Sequence, residues 1–293
     1  MTFLLVALLA GPCVYAAQPA DRAKLEAAGV TRVCGDADLA SREALPTPGV
    51  SARPGVASPT RSPWIVANGW RFMRKPTAKY LYELPAGKGN TAEAEAFAYG
   101  ADAVLKIDPA DVASVGQMFA FLDRLPAADL PSVADLAVVD DGSAIVGEVM
   151  NLLARRNLLY KVVQAPSAAF RVNVAVGSAA YPRAEAADPS AFALKIRRQL
   201  TDEQRSLRVY GSEVVICRLT ADATRARLHL INYGGREIEG LRLRVRGTYG
   251  DGEAHVAGAG RLPLQDLVAS DGATEFSVPR LTTYAVVDVK PVR

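Results

Sequence analysis

The sequence predicts an α/β module with parallel strands followed by an all-β antiparallel sandwich domain. Residues 134–163 read as a strand, an acidic turn, an amphipathic helix and a second strand, which is a βαβ unit of about 30 residues. Residues 81–125 alternate strand and helix in the same way. From Gly211 the chain changes to short apolar strands separated by glycine-rich turns, which is typical of a sandwich.

The composition is that of a globular protein of two or three domains. The chain has 293 residues, of which 50% are hydrophobic and 22% charged. Its net charge of +3 is small, and in the C-terminal third the basic residues are interspersed with acidic ones. The charge therefore does not indicate a nucleic-acid partner.

The N-terminus has the pattern of an export signal. Residues 3–10 are apolar, Gly11 and Pro12 follow as a break, and small residues such as Ala16 and Ala17 provide a cleavage site. The apolar segment is shorter than the roughly 20 residues of a membrane-spanning helix, so no stable membrane span would remain after cleavage. We expect a signal peptide at residues 1–17 and a secreted or periplasmic protein. The alternative is a buried N-terminal strand or helix.

Export also bears on the three cysteines. Cys13 would leave with the signal, so the mature chain would keep Cys34 and Cys217. An oxidising compartment permits a disulfide between these two. The alternative is that each is a small buried hydrophobic residue.

Residues 18–63 are predicted to form an N-terminal segment and a proline-rich linker. The segment 64–73 suggests a β-hairpin, because Asn68-Gly69 supplies the two positive-φ positions of a type I′ turn. Strands at 78–84 and 101–107 flank a helix that ends at Gly100, and Asp108-Pro109 begins another helix. Residues 64–130 are thus expected to form a truncated, barrel-like α/β region.

Residues 131–205 contain the βαβ unit and are predicted to form a flavodoxin-like module. Apolar strands at 136–139 and 160–163 flank its helix; a strand at 170–176 and a helix at 191–200 follow. The first turn, at residues 140–143, lacks the glycine-rich pattern of a phosphate-binding loop. The sequence therefore does not indicate a nucleotide site.

Residues 206–293 are predicted to form the C-terminal sandwich. In the segment 240–247, leucine and valine alternate with Arg242, Arg244 and Arg246, so one face of the strand packs and the other meets water. Further strands are expected at 213–219, 226–233, 274–278 and 284–289, with turns at 232–235 and 249–252.

This order of modules resembles the back half of bacterial multidomain glycoside hydrolases of the β-galactosidase type. The resemblance rests on D-L-A-V-V-D-D-G-S at 135–143, R-L-H-L-I-N-Y-G at 227–234 and E-A-F-A-Y-G-A-D-A-V-L at 95–105. In that family a catalytic (β/α)₈ barrel is followed by a glutamine-amidotransferase-like module, often used for oligomerisation, and a β-sandwich. The resemblance implies a barrel remnant, an amidotransferase-like fold, and carbohydrate or another subunit as partner.

Two departures from that family bear on catalysis. A whole barrel takes about 250 residues, and too few residues precede the α/β module to form one. No cysteine lies between Cys34 and Cys217, so the nucleophile of active amidotransferases is missing as well. The sequence favours a non-catalytic or degenerate relative.

Glu83 is the candidate catalytic residue, because it ends a predicted strand and barrel chemistry lies at the carboxyl ends of strands. Glycoside hydrolysis normally requires two carboxyl groups, and spacing places no second one opposite Glu83. Glu93 and Glu95 lie nearby in the sequence, but exposure on a helix surface explains them equally well.

Asp140 and Asp141 are ligand-binding candidates, since adjacent acids after a strand could hold a cation or accept hydrogen bonds from sugar hydroxyls. The alternative is that Asp141 or Ser143 caps the following helix.

Trp64, Trp70 and Tyr82 are a second set of ligand-binding candidates. Together with Tyr80, which shares a strand face with Tyr82, they could form an aromatic platform for sugar rings. Packing in the core is the alternative.

No metal or cofactor site is predicted. His229 and His255 have no cysteine or carboxylate at ligand spacing. His229 shares a strand face with Arg225 and Arg227, which suggests that this face is exposed. No phosphate-binding loop, nucleophile elbow or zinc motif occurs.

The sequence as a whole predicts an exported, non-catalytic or degenerate glycoside-hydrolase-like protein that binds carbohydrate or assembles with a partner. The alternative is an active glycoside hydrolase that uses Glu83 and an unidentified second carboxylate.

Overall fold

A computed structural model describes residues 11–51 and 64–292, so the apolar segment 3–10 and the linker prolines at 54, 59 and 63 lie outside the described residues. The N-terminal part has seven short strands in that portion of the chain: β1 (Cys13–Tyr15), β2 (Val33–Cys34), β3 (Glu43–Leu45), β4 (Gly49–Ser51), β5 (Trp64–Val66), β6 (Lys79–Glu83) and β7 (Asp102–Lys106). Five of them form a parallel sheet in the order β2-β1-β7-β6-β3, and β4 pairs antiparallel with β5.

From one edge of the sheet, β3, β6 and β7 follow each other in chain order, and β1 and β2 continue the sheet beside β7. Strands β2 and β3 are therefore at the two edges within the described chain. The helices between and after the strands pack on one face of this sheet: α1 (Pro19–Ala27), α2 (Gly69–Arg74), α3 (Gly89–Tyr99) and α4 (Val112–Leu122). Parallel strands with helices packed on one face form an α/β layer, in agreement with the predicted α/β module. The sheet unites strands from both sides of the expected boundary at residue 64.

The hairpin predicted at 64–73 is wrong, because only its first arm is a strand. Asn68 has φ −106° and ψ −7°, so it lacks the positive φ of a type I′ turn, and α2 begins at the next residue. The backbone N–H groups of Asn68 and Gly69 donate to the Glu95 carboxylate at 2.5 and 3.2 Å. A long-range acceptor thus replaces the local turn.

The disulfide considered between Cys34 and Cys217 is wrong. Cys34 is bonded to Cys13, across the neighbouring strands β1 and β2. Cys217 is a buried free thiol, and burial raises its pKa. For Cys217, the alternative of a small buried hydrophobic residue agrees with the structure.

The βαβ unit is confirmed. Strands β8 (Leu136–Val139) and β9 (Tyr160–Val163) are parallel neighbours, connected by α5 (Ala144–Arg155). The strand expected at 170–176 is reduced to β10 (Asn173–Val174), which pairs with β8 on its other side. Helix α6 (Pro189–Leu200) packs with α5 over this three-stranded sheet.

The C-terminal part is a sandwich of two antiparallel sheets, as predicted. Its strands are β11 (Leu207–Val209), β12 (Val215–Ala221), β13 (Ala226–Asn232), β14 (Ile238–Arg246), β15 (Tyr249–Val256), β16 (Gly260–Pro263), β17 (Gln265–Ser270), β18 (Ala273–Leu281) and β19 (Tyr284–Pro291). One sheet has the order β11-β14-β18-β17 and the other β12-β13-β19-β15-β16. The turn predicted at 249–252 is wrong, because these residues begin β15, with an irregularity after Tyr249.

The outer face of the β12-β13-β19 sheet is covered by α3 and α4. Ile216, Ile231 and Tyr284 of the sandwich join one apolar cluster with Ala94 and Met118 of the helices. The prediction that His229 lies on an exposed face is therefore wrong. Its imidazole is buried and 2.6 Å from the Tyr284 hydroxyl, and burial lowers its pKa to about 3.

Among the described residues, no helix is long and apolar enough to cross a membrane.

Candidate functional site

The candidate site lies at the carboxyl edge of the five-stranded sheet, where parallel strands all end on the same side. Glu83 ends β6, Lys106 ends β7 and Tyr15 ends β1, while Asp36 follows β2 after one intervening glycine. Because β1, β6 and β7 are neighbours in register, the side chains of these four residues meet although up to 91 positions separate them. We refer to Tyr15, Asp36, Glu83 and Lys106 as the edge cluster.

The edge cluster is a continuous chain of polar contacts. The Glu83 Oε1 atom lies 3.4 Å from Lys106 Nζ. The same Nζ lies 5.3 Å from the centre of the Tyr15 ring, which is the geometry of a cation–π contact. The Tyr15 hydroxyl donates a 2.6 Å hydrogen bond to Asp36 Oδ1. The Lys106 ammonium group thus lies between the Glu83 carboxylate and the Tyr15 ring, and the Asp36 carboxylate accepts a hydrogen bond from the Tyr15 hydroxyl.

The edge cluster is open to water. The Glu83 side chain is 72% exposed and that of Lys106 35%. The hydrogen bond to Asp36 raises the pKa of Tyr15 above its usual value, and it uses the one O–H donor of the phenol. The cluster therefore offers donors, acceptors and part of an aromatic ring to a polar ligand.

The disulfide between Cys13 and Cys34 connects β1, which ends at Tyr15 of the edge cluster, with β2, which precedes Asp36. Cys34 is the register partner of Tyr15, and Cys13 lies two residues before it. The cross-link therefore fixes β2, which has only two residues, against the strand that carries Tyr15.

Asp102 carries the carboxylate of β7 and is at the opposite end of that strand from Lys106. It bonds to Arg42 at 2.7 Å. Four residues of strand correspond to about 13 Å, so Asp102 does not face Glu83.

Asp140 and Asp141 are not part of the edge cluster. Asp140 accepts two hydrogen bonds from the Arg74 guanidinium, at 2.7 and 2.9 Å, and this pairing lowers its pKa. Asp141 accepts from the Ser143 N–H at 2.8 Å and from Arg183 at 2.9 Å. Ser143 is the helix cap, since its hydroxyl accepts from the Val146 N–H. In the structure both acids serve local and inter-element contacts.

The three aromatic candidates do not form an exposed platform. Trp64 and Trp70 are half-buried and pack on the cluster around α5, with the guanidinium groups of Arg155 and Arg71 over their rings. Tyr82 is fully buried, which agrees with the alternative of packing in the core. Tyr80 and Tyr82 do share one face, and that face packs on α2 and α3.

Glu93 and Glu95 are both fully buried, so the interpretation of exposed helix positions is wrong. Glu95 accepts hydrogen bonds from the hydroxyls of Tyr82 at 2.7 Å and Tyr233 at 2.6 Å, besides those from the Asn68-Gly69 backbone. Burial raises its pKa, and these donors act in the opposite direction. Glu95 thus links the barrel-like region to the sandwich and faces no solvent.

A polar groove of about 380 Å³ lies on the sandwich, between β15, β16 and β19. Two of its three carboxylates have cationic partners within the described chain: Asp288 pairs with Arg227 at 2.7 Å, and Glu253 contacts Arg261. No aromatic ring lines it. In the described part of the chain, no three histidine, cysteine or carboxylate side chains are grouped so that they could hold a metal ion.

Sequence reasoning identified one member of the edge cluster, Glu83. Lys106 lay one residue before the end of the strand predicted at 101–107, so parallel pairing of the two strands was a usable signal. Tyr15 was hidden because its segment was assigned to an export signal. Asp36 gave no signal of its own, since it follows a two-residue strand.

The fold is similar to that of solved glycoside hydrolases. The α-L-fucosidase isoenzyme 2 from Paenibacillus thiaminolyticus matches with a TM-score of 0.60 at 11% identity, over 89% of this chain and 68% of that one. A β-galactosidase from Rahnella sp. R3 gives a TM-score of 0.46 at 10% identity, over 91% and 61% of the two chains. A GH42 β-galactosidase from G. stearothermophilus gives 0.41 at 8%, over 84% and 53%.

The match to the fucosidase shows a shared, glycoside-hydrolase-like fold. The chain spans 68% of that protein, and 61% and 53% of the two β-galactosidases. No protein-family model matches the sequence, and no curated protein matches it.

Proposed function

We propose that the protein binds carbohydrate at the edge cluster and does not hydrolyse it. The observation that carries this proposal is the chain of contacts from Glu83 through Lys106 and Tyr15 to Asp36. It lies at the carboxyl edge of a barrel-type sheet, the side on which ligands of such folds bind. A carboxylate, an ammonium group and a partly exposed tyrosine are suited to sugar hydroxyls and to the C–H face of a sugar ring.

The surroundings of Glu83 support a non-catalytic role. A glycosidase general acid lies in an apolar pocket that keeps it protonated at neutral pH. The Glu83 side chain is instead 72% exposed and contacts the Lys106 ammonium group. A non-catalytic relative needs the carboxylate only as a hydrogen-bond acceptor.

Asp36 favours one alternative, an active glycoside hydrolase with Glu83 and Asp36 as the two acids. Turnover of 4-nitrophenyl α-L-fucoside or β-D-galactoside is the test, because the named neighbours of this fold are a fucosidase and β-galactosidases. Turnover that disappears in both Glu83→Gln and Asp36→Asn, with their folds intact, would establish the alternative.

Export remains a proposal, and we propose an exported form that retains β1. Cleavage after Ala17 would remove β1, which lies between β2 and β7 in the sheet, together with Tyr15 and Cys13. A disulfide is typical of oxidising compartments, which supports export. The N-terminal mass of the exported protein checks this: a start at residue 18 would contradict it.

A glycan array tests binding at the edge cluster. The wild-type protein is expected to bind at least one class of neutral glycan, and Lys106→Met to bind it about tenfold more weakly, because a charge-assisted hydrogen bond is lost. Tyr15→Phe should weaken binding less than Lys106→Met, because this variant loses only the hydroxyl and keeps the aromatic ring.

The chain offers a matched control for these variants. Lys195 on α6 lies 2.6 Å from Glu185 and 5.5 Å from the Tyr181 ring, so it has the same kind of neighbours as Lys106 without being part of the edge cluster. Lys195→Met should bind glycans like the wild type. Absence of any glycan signal for the wild type, or equal losses in Lys106→Met and Lys195→Met, would contradict the proposal.

A further inference from the structure

Four arginines share the outer face of one sandwich sheet. Arg242, Arg244 and Arg246 alternate along β14 with the buried residues Leu243 and Val245. Arg208 of β11 lies on the same face, as the register partner of Arg244. We call Arg208, Arg242, Arg244 and Arg246 the arginine face.

The spacing of the arginine face is regular. Alternate residues of a strand are about 7 Å apart, and partners on neighbouring strands about 5 Å. Like charges placed directly opposite each other destabilise a sheet. Arg244 is opposite Arg208 on one side and opposite Glu275 of β18 on the other, so a like-charged pair and an oppositely charged pair meet at this residue.

Neighbouring groups compensate for this charge only in part. Arg242 pairs with Glu275. Arg208 lies 3.4 Å from Asp202 and stacks on the Tyr210 ring at 4.7 Å. The Nη1 atom of Arg244 is buried and has no hydrogen-bond partner within the described chain.

The fourth arginine opens onto a concave surface. Arg246 is exposed and lines a groove of about 360 Å³ with Ser206 and Tyr249. This volume is within the range of small-ligand sites. The arginine face thus continues from the strand surface into a groove whose other lining residues are mostly apolar.

We propose that the arginine face binds an anionic polysaccharide, a glycan chain that carries repeated carboxylate or sulfate groups. The planar guanidinium forks match these groups and bond to them in pairs. The choice of a glycan rests on the proposed function, while the anionic character rests on the arginines themselves. The net charge of only +3 does not favour a nucleic acid, whose binding needs a larger basic surface.

Calorimetry of the full chain with a linear oligogalacturonate tests the proposal. The probe's fully methyl-esterified form is the neutral comparison, and a DNA duplex is the other polyanion. The oligogalacturonate should bind at least about tenfold more tightly than its ester. The double variant Arg242→Gln/Arg244→Gln should lose about tenfold in affinity, and added salt should weaken the wild type.

Arg124→Gln/Arg198→Gln, at two exposed positions outside the arginine face, is the control with the same change in charge, and it should bind like the wild type. Thermal melting confirms that each variant is folded. Equal affinity for the acid and its ester, equal losses in both double variants, or tighter binding of the DNA duplex would overturn the proposal. Lys106→Met should leave oligogalacturonate binding unchanged, so a failure at the edge cluster and a failure at the arginine face can be told apart.

Discussion

At the scale of single residues, two buried glutamates on α3 have different environments. Glu95 has five hydrogen-bond contacts, which come from Asn68, Gly69, Tyr82 and Tyr233. Neither carboxylate oxygen of Glu93 has a hydrogen-bond partner within the described chain. Burial raises the pKa of Glu93 well above its usual value; Arg32 opposes this shift and Asp123 adds to it. Glu93 therefore favours the protonated form in the folded state.

The raised pKa of Glu93 predicts a pH dependence of stability. The folded chain holds a proton that the unfolded chain releases above a pH of about 4.3. The free energy of unfolding should therefore fall as the pH rises from there towards the folded-state pKa, by at most about 1.4 kcal/mol per pH unit for one proton.

Glu93→Gln should remove this contribution and give a flatter profile, measured by urea unfolding between pH 4 and 8. The exposed Glu239→Gln serves as the control and should leave the slope near that of the wild type. An unchanged slope in Glu93→Gln would show that Glu93 is ionised in the folded chain.

Single residues also show where sequence patterns mislead. Within their own elements, Glu93 and Glu95 fit the exposed side of a helix. His229 likewise fits the exposed side of a strand. The contact between the sandwich and α3 and α4 buries His229 and brings Tyr233 to Glu95, while the charged neighbours of the buried Glu93 are Arg32 and Asp123. Contacts between modules far apart in the sequence leave no local signal, so burial at these positions could not be predicted.

At the scale of elements, the start of α5 has one capping residue. The Ser143 hydroxyl accepts from the Val146 N–H at 3.4 Å, whereas Asp141 orders the preceding turn. Asp140 is used in a bridge to Arg74, which joins α2 to the βαβ unit. The acidic turn is therefore explained by its structural contacts.

Capping predicts a difference between two variants. Ser143→Ala should lower the free energy of unfolding by about 1 kcal/mol, the usual loss for a removed N-cap. Asp141→Ala should lower it by less, because this exposed side chain holds only a turn and a surface ion pair. Urea denaturation of both variants measures the difference, and a larger loss in Asp141→Ala would reverse the assignment.

The elements also differ in how far their sequences determine them. Strands β6, β7, β8 and β9 and helices α3 to α6 follow from apolar periodicity and end signals such as Gly100, which has φ +64°. The hairpin prediction for 64–73 failed because the backbone N–H of Asn68 donates to the buried Glu95 carboxylate instead of forming a local turn. Strands β1 and β2 have three residues and two, too few for periodicity to reveal.

At the scale of the whole molecule, the described modules share apolar surfaces. The outer face of one sandwich sheet packs on α3 and α4, and Tyr233 donates to Glu95 across that contact. Trp64, Trp70 and Met73 pack on the cluster around α5. The order of modules was predictable from the sequence, and the N-terminal strands that complete the barrel-like sheet were not.

The central claim concerns one place in this molecule, the carboxyl edge of the parallel sheet. Hydrogen–deuterium exchange of the full chain, with and without the glycan that gives the strongest array signal, tests it most directly. Protection is expected in the segments that follow the strands of the edge cluster, residues 16–18, 35–36, 84–88 and 107–110. Protection confined to the sandwich groove at residues 251–263, or no protection at saturating glycan, would contradict binding at the edge cluster.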